Sequence, residues 1–250
     1  MSTEPQGVLI TGGARGIGRA TAEAFAARGA NVAINYFGRQ DAAEETAAAC
    51  RAAGAADVRI CQADVGDGAA VRAMVDELRG AWPRLDVVVN NAGYNCPGKL
   101  LDLTEEAWDR AFATHVKGAF HVCRATIPWL AETGGGNVIN LSSVAGLRGL
   151  PGSVGYGTVK GALLQFTRCL AWEVAELGVR VNAVCPGVIR TDFHAAMTPE
   201  QKQRNLEQRI PLHAEGQPEQ IAQAILSLVD NAYITGETLT VDGGLSMRIC

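Results

Sequence analysis

The sequence predicts a single α/β domain in which helices cover both faces of a doubly wound, mostly parallel sheet of seven strands. Two observations carry this prediction. Short β-branched runs alternate with stretches of helical length along the 250 residues, as in chains of βαβ units. Hydrophobic residues make up 48% of the chain but aromatic residues only 6%, which suits a buried parallel sheet under Ala-rich helices.

The elements follow in order from this alternation. The predicted strands are residues 7–11, 31–35, 58–62, 87–90, 136–141, 180–185 and 238–241. The predicted helices between them include residues 16–28, 42–53, 68–82, 105–133 and 155–177. The glycine run at 134–136 is a predicted turn after the long fourth helix.

Residues 190–216 break the alternation. They are polar, carry Met197, Pro199 and Pro211, and indicate a helical excursion. Ligands of open α/β sheets bind beyond the carboxyl ends of the strands. The segment is therefore a predicted substrate lid, and a plain pair of surface helices is the alternative.

Composition excludes several functions. The net charge is −4 and no block of Lys or Arg is present, which argues against nucleic acid or an anionic membrane surface as a partner. No apolar run reaches membrane-spanning length, and a short polar tail leads into the first strand, so we expect a cytoplasmic protein. Seven scattered cysteines without a C-x-x-C pair, and only four histidines, predict reduced thiols and no metal site.

The segment after the first strand, residues 11–18, has the sequence TGGARGIG and leads into a helix. Glycines let a backbone turn sharply and approach a pyrophosphate closely, and a helix N-terminus supplies free N–H groups. The spacing Gly-x-x-x-Gly-x-Gly differs from the general G-x-G-x-x-G fingerprint. Its place between a strand and a helix still predicts a dinucleotide site.

A second motif pairs Tyr156 with Lys160, one helical turn apart, with Ser143 on a preceding segment. A phenol has an ordinary pKa near ~10, and a neighbouring ammonium lowers that pKa by favouring the phenolate. The arrangement predicts that Tyr156 gives or takes a proton while the Ser143 hydroxyl holds the substrate oxygen.

Together these motifs resemble the classical short-chain dehydrogenase/reductases over essentially the whole chain. Further segments that resemble family motifs are Asp64-Val65, Asn90-Asn91-Ala92-Gly93, Pro186-Gly187 with Thr191 following, and residues 241–244. The resemblance implies a single doubly wound Rossmann domain and a homotetramer. It also implies that Tyr156 is the general acid/base, that Lys160 holds the nicotinamide ribose and lowers the Tyr156 pKa, and that Ser143 binds the carbonyl. The implied cofactor contacts are Gly12, Arg15, Gly16, Ile17, Gly18, Asp64, Val65, Asn91, Ala92, Gly93, Tyr156, Lys160, Pro186, Gly187, Val188 and Thr191.

The chain departs from the family where a helical Asn usually completes the catalytic set. His115 stands at that position. One hypothesis is that the proton relay survives and that His115 adds a group titrating near neutral pH. The alternative is a histidine packed at a helix kink without a proton role. Cys96 follows the Asn90–Gly93 motif as either a small packing residue or a reactive thiol at the pocket.

The cofactor preference rests on the end of the second strand. An acidic residue there usually indicates NAD, because it binds the ribose hydroxyls. This chain has Asn35 to Arg39 without a carboxylate, and both Arg15 and Arg39 could reach a 2′-phosphate. The prediction is NADP(H), with NAD(H) as the alternative.

The substrate prediction is a small ketone and its secondary alcohol. The predicted pocket wall is mostly apolar: Tyr94, Val144, Ala145, Leu147, Leu150, Val188, Phe193 and Met197. Alternatives are a 3-oxoacyl carrier-protein or CoA reductase, an NAD-dependent sugar or polyol dehydrogenase and, remotely, a non-catalytic dinucleotide sensor. Positions 133–134 and 176–177, where carrier-protein reductases tend to be basic, are Thr-Gly and Glu-Leu.

Overall fold

All seven strands form one parallel sheet. The computed structural model describes residues 4–194 and 197–247. The strand order is β3-β2-β1-β4-β5-β6-β7, so the chain winds outward in both directions from β1 and β4. The strands are β1 Gly7–Ile10, β2 Asn31–Tyr36, β3 Asp57–Gln62, β4 Val87–Asn90, β5 Gly136–Leu141, β6 Val179–Pro186 and β7 Thr238–Val241.

Helices cover both faces of this sheet. They are α1 Gly16–Ala26, α2 Gln40–Ala53, α3 Gly68–Ala81, α4 Glu105–Phe112, α5 Gly118–Glu132, α6 Val154–Glu173, α7 Pro199–Arg204 and α8 Pro218–Asp230. Successive residues of a strand point to opposite faces. Val8 and Ile10 accordingly pack with α1, α2 and α8, whereas Leu9 packs with α3, α5 and α6. The doubly wound architecture is confirmed.

The predicted helix 105–133 is wrong as a single helix. A π-helical turn, Ala113–Lys117, separates α4 from α5. Gly118 is the first residue of α5 and packs against Val65 in the loop after β3. A Cβ on Gly118 would come 2.7 Å from Val65 Cγ2. The wide turn places His115 inside the protein at 2% exposure. The predicted helix 155–177 likewise ends early, and a short 3₁₀ turn, Ala175–Leu177, completes it.

The predicted lid is a helical excursion, as expected from its composition. It contains a 3₁₀ turn Asp192–His194, helix α7 and a π-helical turn Asn205–Arg209. Thr198 caps α7, and Pro199 occupies the first helical position, where a missing N–H costs nothing. Residues 195–196 of this predicted lid, and Cys250 at the C-terminus, lie outside the described residues.

Within residues 4–194 and 197–247, no helix is both long and apolar enough to cross a membrane.

Candidate active site

A single continuous cleft of about 2010 Å³ runs along the carboxyl ends of the strands. It lies where the strand order reverses between β1 and β4, the usual ligand position in such sheets. Every predicted cofactor and catalytic residue lines this cleft except Gly18. A Cβ on Gly18 would collide with the Gly12 carbonyl and approach Asn91 Nδ2 to 2.6 Å. Gly18 as a direct cofactor contact therefore stays a prediction, and in this structure Gly18 packs closely against Gly12, Gly13 and Asn91.

The glycine loop is tied to the turn after β4. Asn91 Nδ2 donates to the carbonyl oxygens of Thr11 and Gly12 at 3.0 and 2.9 Å. The Thr11 hydroxyl accepts from the backbone N–H groups of Asn91 and Ala92, both at 3.0 Å. Gly12 has φ +60°, and a Cβ there would stand 2.9 Å from Ala92 Cα. The close approach requires glycine and brings two predicted cofactor segments together.

The first turn of α1 faces the cleft. Arg15 is its N-cap and makes no side-chain capping hydrogen bond. The first N–H groups of a helix have no partner within the helix and carry the positive end of its dipole. The loop and this helix end therefore form a cradle that fits a pyrophosphate.

The two arginines predicted to select NADP(H) lie at the rim of the cleft. The guanidinium of Arg15 is 3.9 Å from Asp192, and that of Arg39 is 3.3 Å from Asp41. All four side chains are more than half exposed, so these pairs are weak and can exchange for a phosphate. The Asn35 side chain is engaged with Gly12 N, Cys61 O and Ala63 O.

The catalytic candidates Ser143, Tyr156 and Lys160 meet in the cleft. Ser143 caps the 3₁₀ turn Val144–Gly146, and its Oγ accepts from Ala145 N at 3.1 Å. Lys160 lies one turn after Tyr156 on α6, with Nζ 5.7 Å from the Tyr156 ring centre. Lys160 Nζ donates to Leu141 O at 2.6 Å. Ser142 instead donates to Lys160 O at 2.7 Å, which leaves Ser143 as the serine available to a substrate.

Burial governs the proton affinities of this pair. It raises the pKa of Tyr156 to about 12, partly offset by the hydrogen bond with Ser143. It lowers the pKa of Lys160 to about 8. The net shift of the Tyr156 pKa is therefore upward, opposite to the expected lowering by Lys160. The reason is that burial favours the neutral form of a phenol, and the ammonium is bonded to Leu141 O.

His115 is held at the back of the site. Its Nε2 lies 3.1 Å from Tyr94 O and 3.3 Å from Tyr94 N, and its ring meets the Tyr156 ring edge-on at 5.9 Å. Burial, and secondarily the charge of Lys160, lower the pKa of His115 to about 3. The hypothesis that His115 titrates near neutral pH is therefore wrong, because the ring is buried beside a cation. Its Nδ1 is buried and has no hydrogen-bond partner among the described residues.

The predicted substrate wall is largely in place. Seven of its eight residues line the cleft, and the Phe193 ring lies 5.7 Å from that of Tyr156. Leu147 is the exception, since it packs inward against Leu164, Ala183 and Cys185. Cys96 is also outside the cleft lining. It is 4% exposed and packs beside Tyr94 and Leu103, so it is a packing residue.

A polar part of this wall was not predicted from the sequence. Arg148, Gln201, Arg204, Gln208 and Arg209 also line the cleft. For the four of these residues between Pro199 and Pro211, the available signal was the density of long polar side chains in that segment. Within the described residues, no three His, Cys, Asp or Glu side chains form a group that could hold a metal ion.

Known proteins resemble this chain along nearly its full length. A family model described as Enoyl-(Acyl carrier protein) reductase matches residues 12–246. A 3-oxoacyl-[acyl-carrier-protein] reductase of Staphylococcus aureus is 39% identical over 241 residues, which is 96% of this chain and 97% of that protein. One from Synechocystis sp. is 38% identical over 245 residues, 97% of each chain.

Solved structures show the same likeness. A short-chain type dehydrogenase/reductase from Mycobacterium marinum superposes with a TM-score of 0.91 at 31% identity, over 97% of this chain and 96% of that one. A Burkholderia xenovorans protein titled a short-chain dehydrogenase/reductase superposes with a TM-score of 0.89 at 34% identity, over 99% and 100% of the two chains.

Proposed function

The chain belongs to the short-chain dehydrogenase/reductase family, and on that premise we propose that it transfers a hydride between NADP(H) and a ketone/secondary alcohol pair. The observation that carries the proposal is the meeting of Ser143, Tyr156 and Lys160 in the cleft that begins at the glycine loop. Family membership makes the chain an NAD(P)-dependent oxidoreductase that acts on CH–OH or ketone groups.

The cleft suits the dinucleotide along its length. The glycine loop and the α1 N-terminus would hold the pyrophosphate. Asp64 and Val65 would contact the adenine end, Tyr156 and Lys160 the nicotinamide ribose, and residues 186–191 the nicotinamide. The nicotinamide supplies or accepts the hydride. Binding and orientation are the work of this chain's own residues.

The same residues account for the proton. Reduction adds a hydride to the carbonyl carbon and a proton to its oxygen. With a pKa near 12, Tyr156 is protonated at neutral pH and can donate that proton as the oxygen gains negative charge. The Ser143 hydroxyl donates a hydrogen bond to the same oxygen, and a charged Lys160 stabilises the phenolate that remains. A protonated Tyr156 and a charged Lys160 are the states that the reduction step requires.

NADP(H) is the proposed cofactor because no carboxylate lies at the end of β2. Asn35 is occupied by hydrogen bonds, and the nearest acid, Asp41, is paired with Arg39. Arg15 and Arg39 are exposed cations on the cleft rim. A guanidinium matches the shape and charge of a 2′-phosphate.

Two readings of the substrate have support. The apolar wall beside Tyr156 supports a small ketone, whereas a sugar would leave buried hydroxyls unmatched. The curated relatives, named 3-oxoacyl-[acyl-carrier-protein] reductases, favour a 3-oxoacyl thioester as the second candidate. Residues 133–134 and 176–177 are not basic, which argues against a thioester that is attached to an acidic carrier protein. The homotetramer and the cytoplasmic location expected from the sequence remain proposals.

The test is a fluorescence titration with NADPH and NADH, followed by turnover of ketones. We expect tighter binding of NADPH, and a loss of about tenfold in NADPH affinity in Arg39→Gln or Arg15→Gln without a matching loss for NADH. Tyr156→Phe should lower kcat by about 10²–10⁴ while retaining NADPH binding. The matched control is Tyr233→Phe, because Tyr233 is fully exposed. Equal or better NADH binding would overturn the cofactor proposal, and binding without turnover would favour a sensor.

A further inference from the structure

The substrate end of the cleft carries arginines that the mechanism above does not use. Arg148 follows the turn after Ser143, and Arg204 and Arg209 belong to the lid. Along the whole cleft, seven arginines and Lys160 stand against three aspartates and no glutamate. Two of these arginines, Arg39 and Arg190, pair with Asp41 and Glu215, which lie outside the lining. The chain itself has a net charge of −4, so the excess of positive charge is local to the cleft. A cleft lined by one sign of charge concentrates ligands of the opposite sign.

These arginines are not neutralised by the protein. Within residues 4–194 and 197–247, none of Arg148, Arg204 and Arg209 forms an ion pair. Arg209 Nη1 donates to Asn205 Oδ1 at 2.9 Å, and Asn205 is only 3% exposed. A buried neutral amide thus orients the Arg209 guanidinium and leaves its charge uncompensated.

The carboxylates of the cleft lie elsewhere. Asp64 caps the turn after β3 by accepting from Gly66 N, and Asp67 caps α3. The third, Asp192, is 3.9 Å from Arg15 at the glycine loop. Asp64 and Asp67 are tied to the end of the cleft that suits the cofactor, whereas Asp192 lies on the 3₁₀ turn next to Phe193 and faces Arg15. The substrate end therefore combines an apolar wall beside Tyr156 with cations from the lid and from the segment after Ser143.

We propose that the substrate is an anionic ketone whose carboxylate or phosphate group binds Arg148, Arg204 and Arg209. The ketone end lies against Ser143 and Tyr156 among apolar side chains, and the anionic end reaches the lid. This inference rests on the proposed reductase function and specifies its substrate class. Guanidinium groups bind both anions through paired, charge-assisted hydrogen bonds, so the same site accepts either source.

The test compares pairs of ketones that share the 3-oxobutanoyl group, one member with an anionic group and one without, and NADPH is the reductant. Acetoacetate is paired with ethyl acetoacetate, and acetoacetyl-CoA with the neutral thioester acetoacetyl-N-acetylcysteamine. In the wild-type protein, we expect the anionic member of at least one pair to have about tenfold higher kcat/KM, equivalent to about 1.4 kcal/mol. That preference should weaken as salt is raised. The pair that shows it identifies a carboxylate or a phosphate as the anion.

In the variant R148Q/R204Q, kcat/KM should become equal for the anionic and the neutral member of each pair, so that the ratio between the two members is lost. The change should come mainly from a higher KM for the anionic member. The matched control is Arg168→Gln on α6, an exposed arginine that bonds Gln165 and lies outside the cleft lining. Its ratio should equal that of the wild type. Equal kcat/KM within both pairs, or an undiminished ratio in R148Q/R204Q, would overturn the anion site.

Calorimetry separates this inference from the reductase proposal. Acetoacetate and coenzyme A are titrated into wild type and R148Q/R204Q. Binding that requires the arginines, without reduction of any ketone, would refute the reductase proposal and support the anion site. Reduction of neutral ketones without a charge preference or arginine-dependent binding would support the reductase and refute the anion site.

Discussion

His115 should make this protein sensitive to mild acid, and His115→Asn should relieve that sensitivity. The ring is 2% exposed, and its pKa in the folded state is about 3. In the unfolded chain the pKa returns to 6.5. Between these two values the unfolded state binds a proton that the folded state does not. Stability therefore falls as pH falls below 6.5, and the loss continues until about pH 3.

The magnitude follows from the same two pKa values. Each pH unit within this window costs about 1.4 kcal/mol. At pH 5.0, one and a half units below 6.5, His115 should reduce the free energy of unfolding by about 2 kcal/mol relative to pH 7.5. Solvent screens the His115 ring little, because the ring is buried. A loss of this size is a substantial part of a typical total stability of about 5–15 kcal/mol.

The assay is urea unfolding of the wild type and His115→Asn at pH 7.5 and pH 5.0. Any packing lost in the variant is common to both pH values and cancels in the double difference. Between pH 7.5 and pH 5.0, we expect the free energy of unfolding to fall by about 2 kcal/mol less in His115→Asn than in the wild type. His121→Asn, at a half-buried histidine on α5, is the control for removing a histidine near the same helix. A stability gap between wild type and His115→Asn that is the same at both pH values would refute the reasoning.

Three further predictions concern packing and specificity. In Gly93→Ala the new Cβ would collide with the His115 ring, so we expect a loss of about 1–3 kcal/mol by urea unfolding, mostly recovered in the double variant with His115→Asn. Arg180→Met removes three hydrogen bonds to carbonyl groups at the end of α8 and just beyond it, and should cost about 2–3 kcal/mol, with an effect below about 0.5 contradicting that role. Leu147→Ala should lower the melting temperature and leave KM unchanged, because Leu147 packs in the core. Leu150→Ala should raise KM and leave the melting temperature unchanged, because Leu150 lines the cleft. The reverse pattern would contradict these assignments.

Local pattern was sufficient for the strands and the order of the motifs. Each strand is a short β-branched run, and parallel pairing then places the ends of β1, β4, β5 and β6 at one edge. The motifs follow those ends in the sequence, so their meeting could be predicted without tertiary detail. Ser143, Tyr156 and Lys160 line the cleft for this reason.

Features that depend on packing between distant segments could not be predicted from the local sequence. Residues 113–117 continue a helical pattern, and nothing local marks the π turn that buries His115 against Tyr94. Leu147 looks like its neighbours in the pocket wall, but the 3₁₀ turn after Ser143 directs it to the core. The pKa of Tyr156 depends on how much water the folded site excludes, which spacing along a helix does not reveal.

Which side of the predicted lid faces the cleft was also not predictable from the sequence. Arg204 and Arg209 stand on short helical turns with polar residues all round, so periodicity does not distinguish an inward from an outward face. Only the placement of these turns over the cleft shows that both arginines line it.

The bonds that join Thr11 and Gly12 to Asn91 and Ala92 affect how fast the cofactor binds and how much entropy its binding costs. They hold the glycine loop in its turned conformation through four contacts across β1 and β4. A loop that is already ordered loses little conformational freedom when a ligand arrives, and preorganisation of this kind saves binding free energy. Cofactor association should therefore be a single-step encounter whose rate follows concentration linearly. Amide hydrogen exchange at residues 11–13 should be slow before the cofactor is added and change little afterwards.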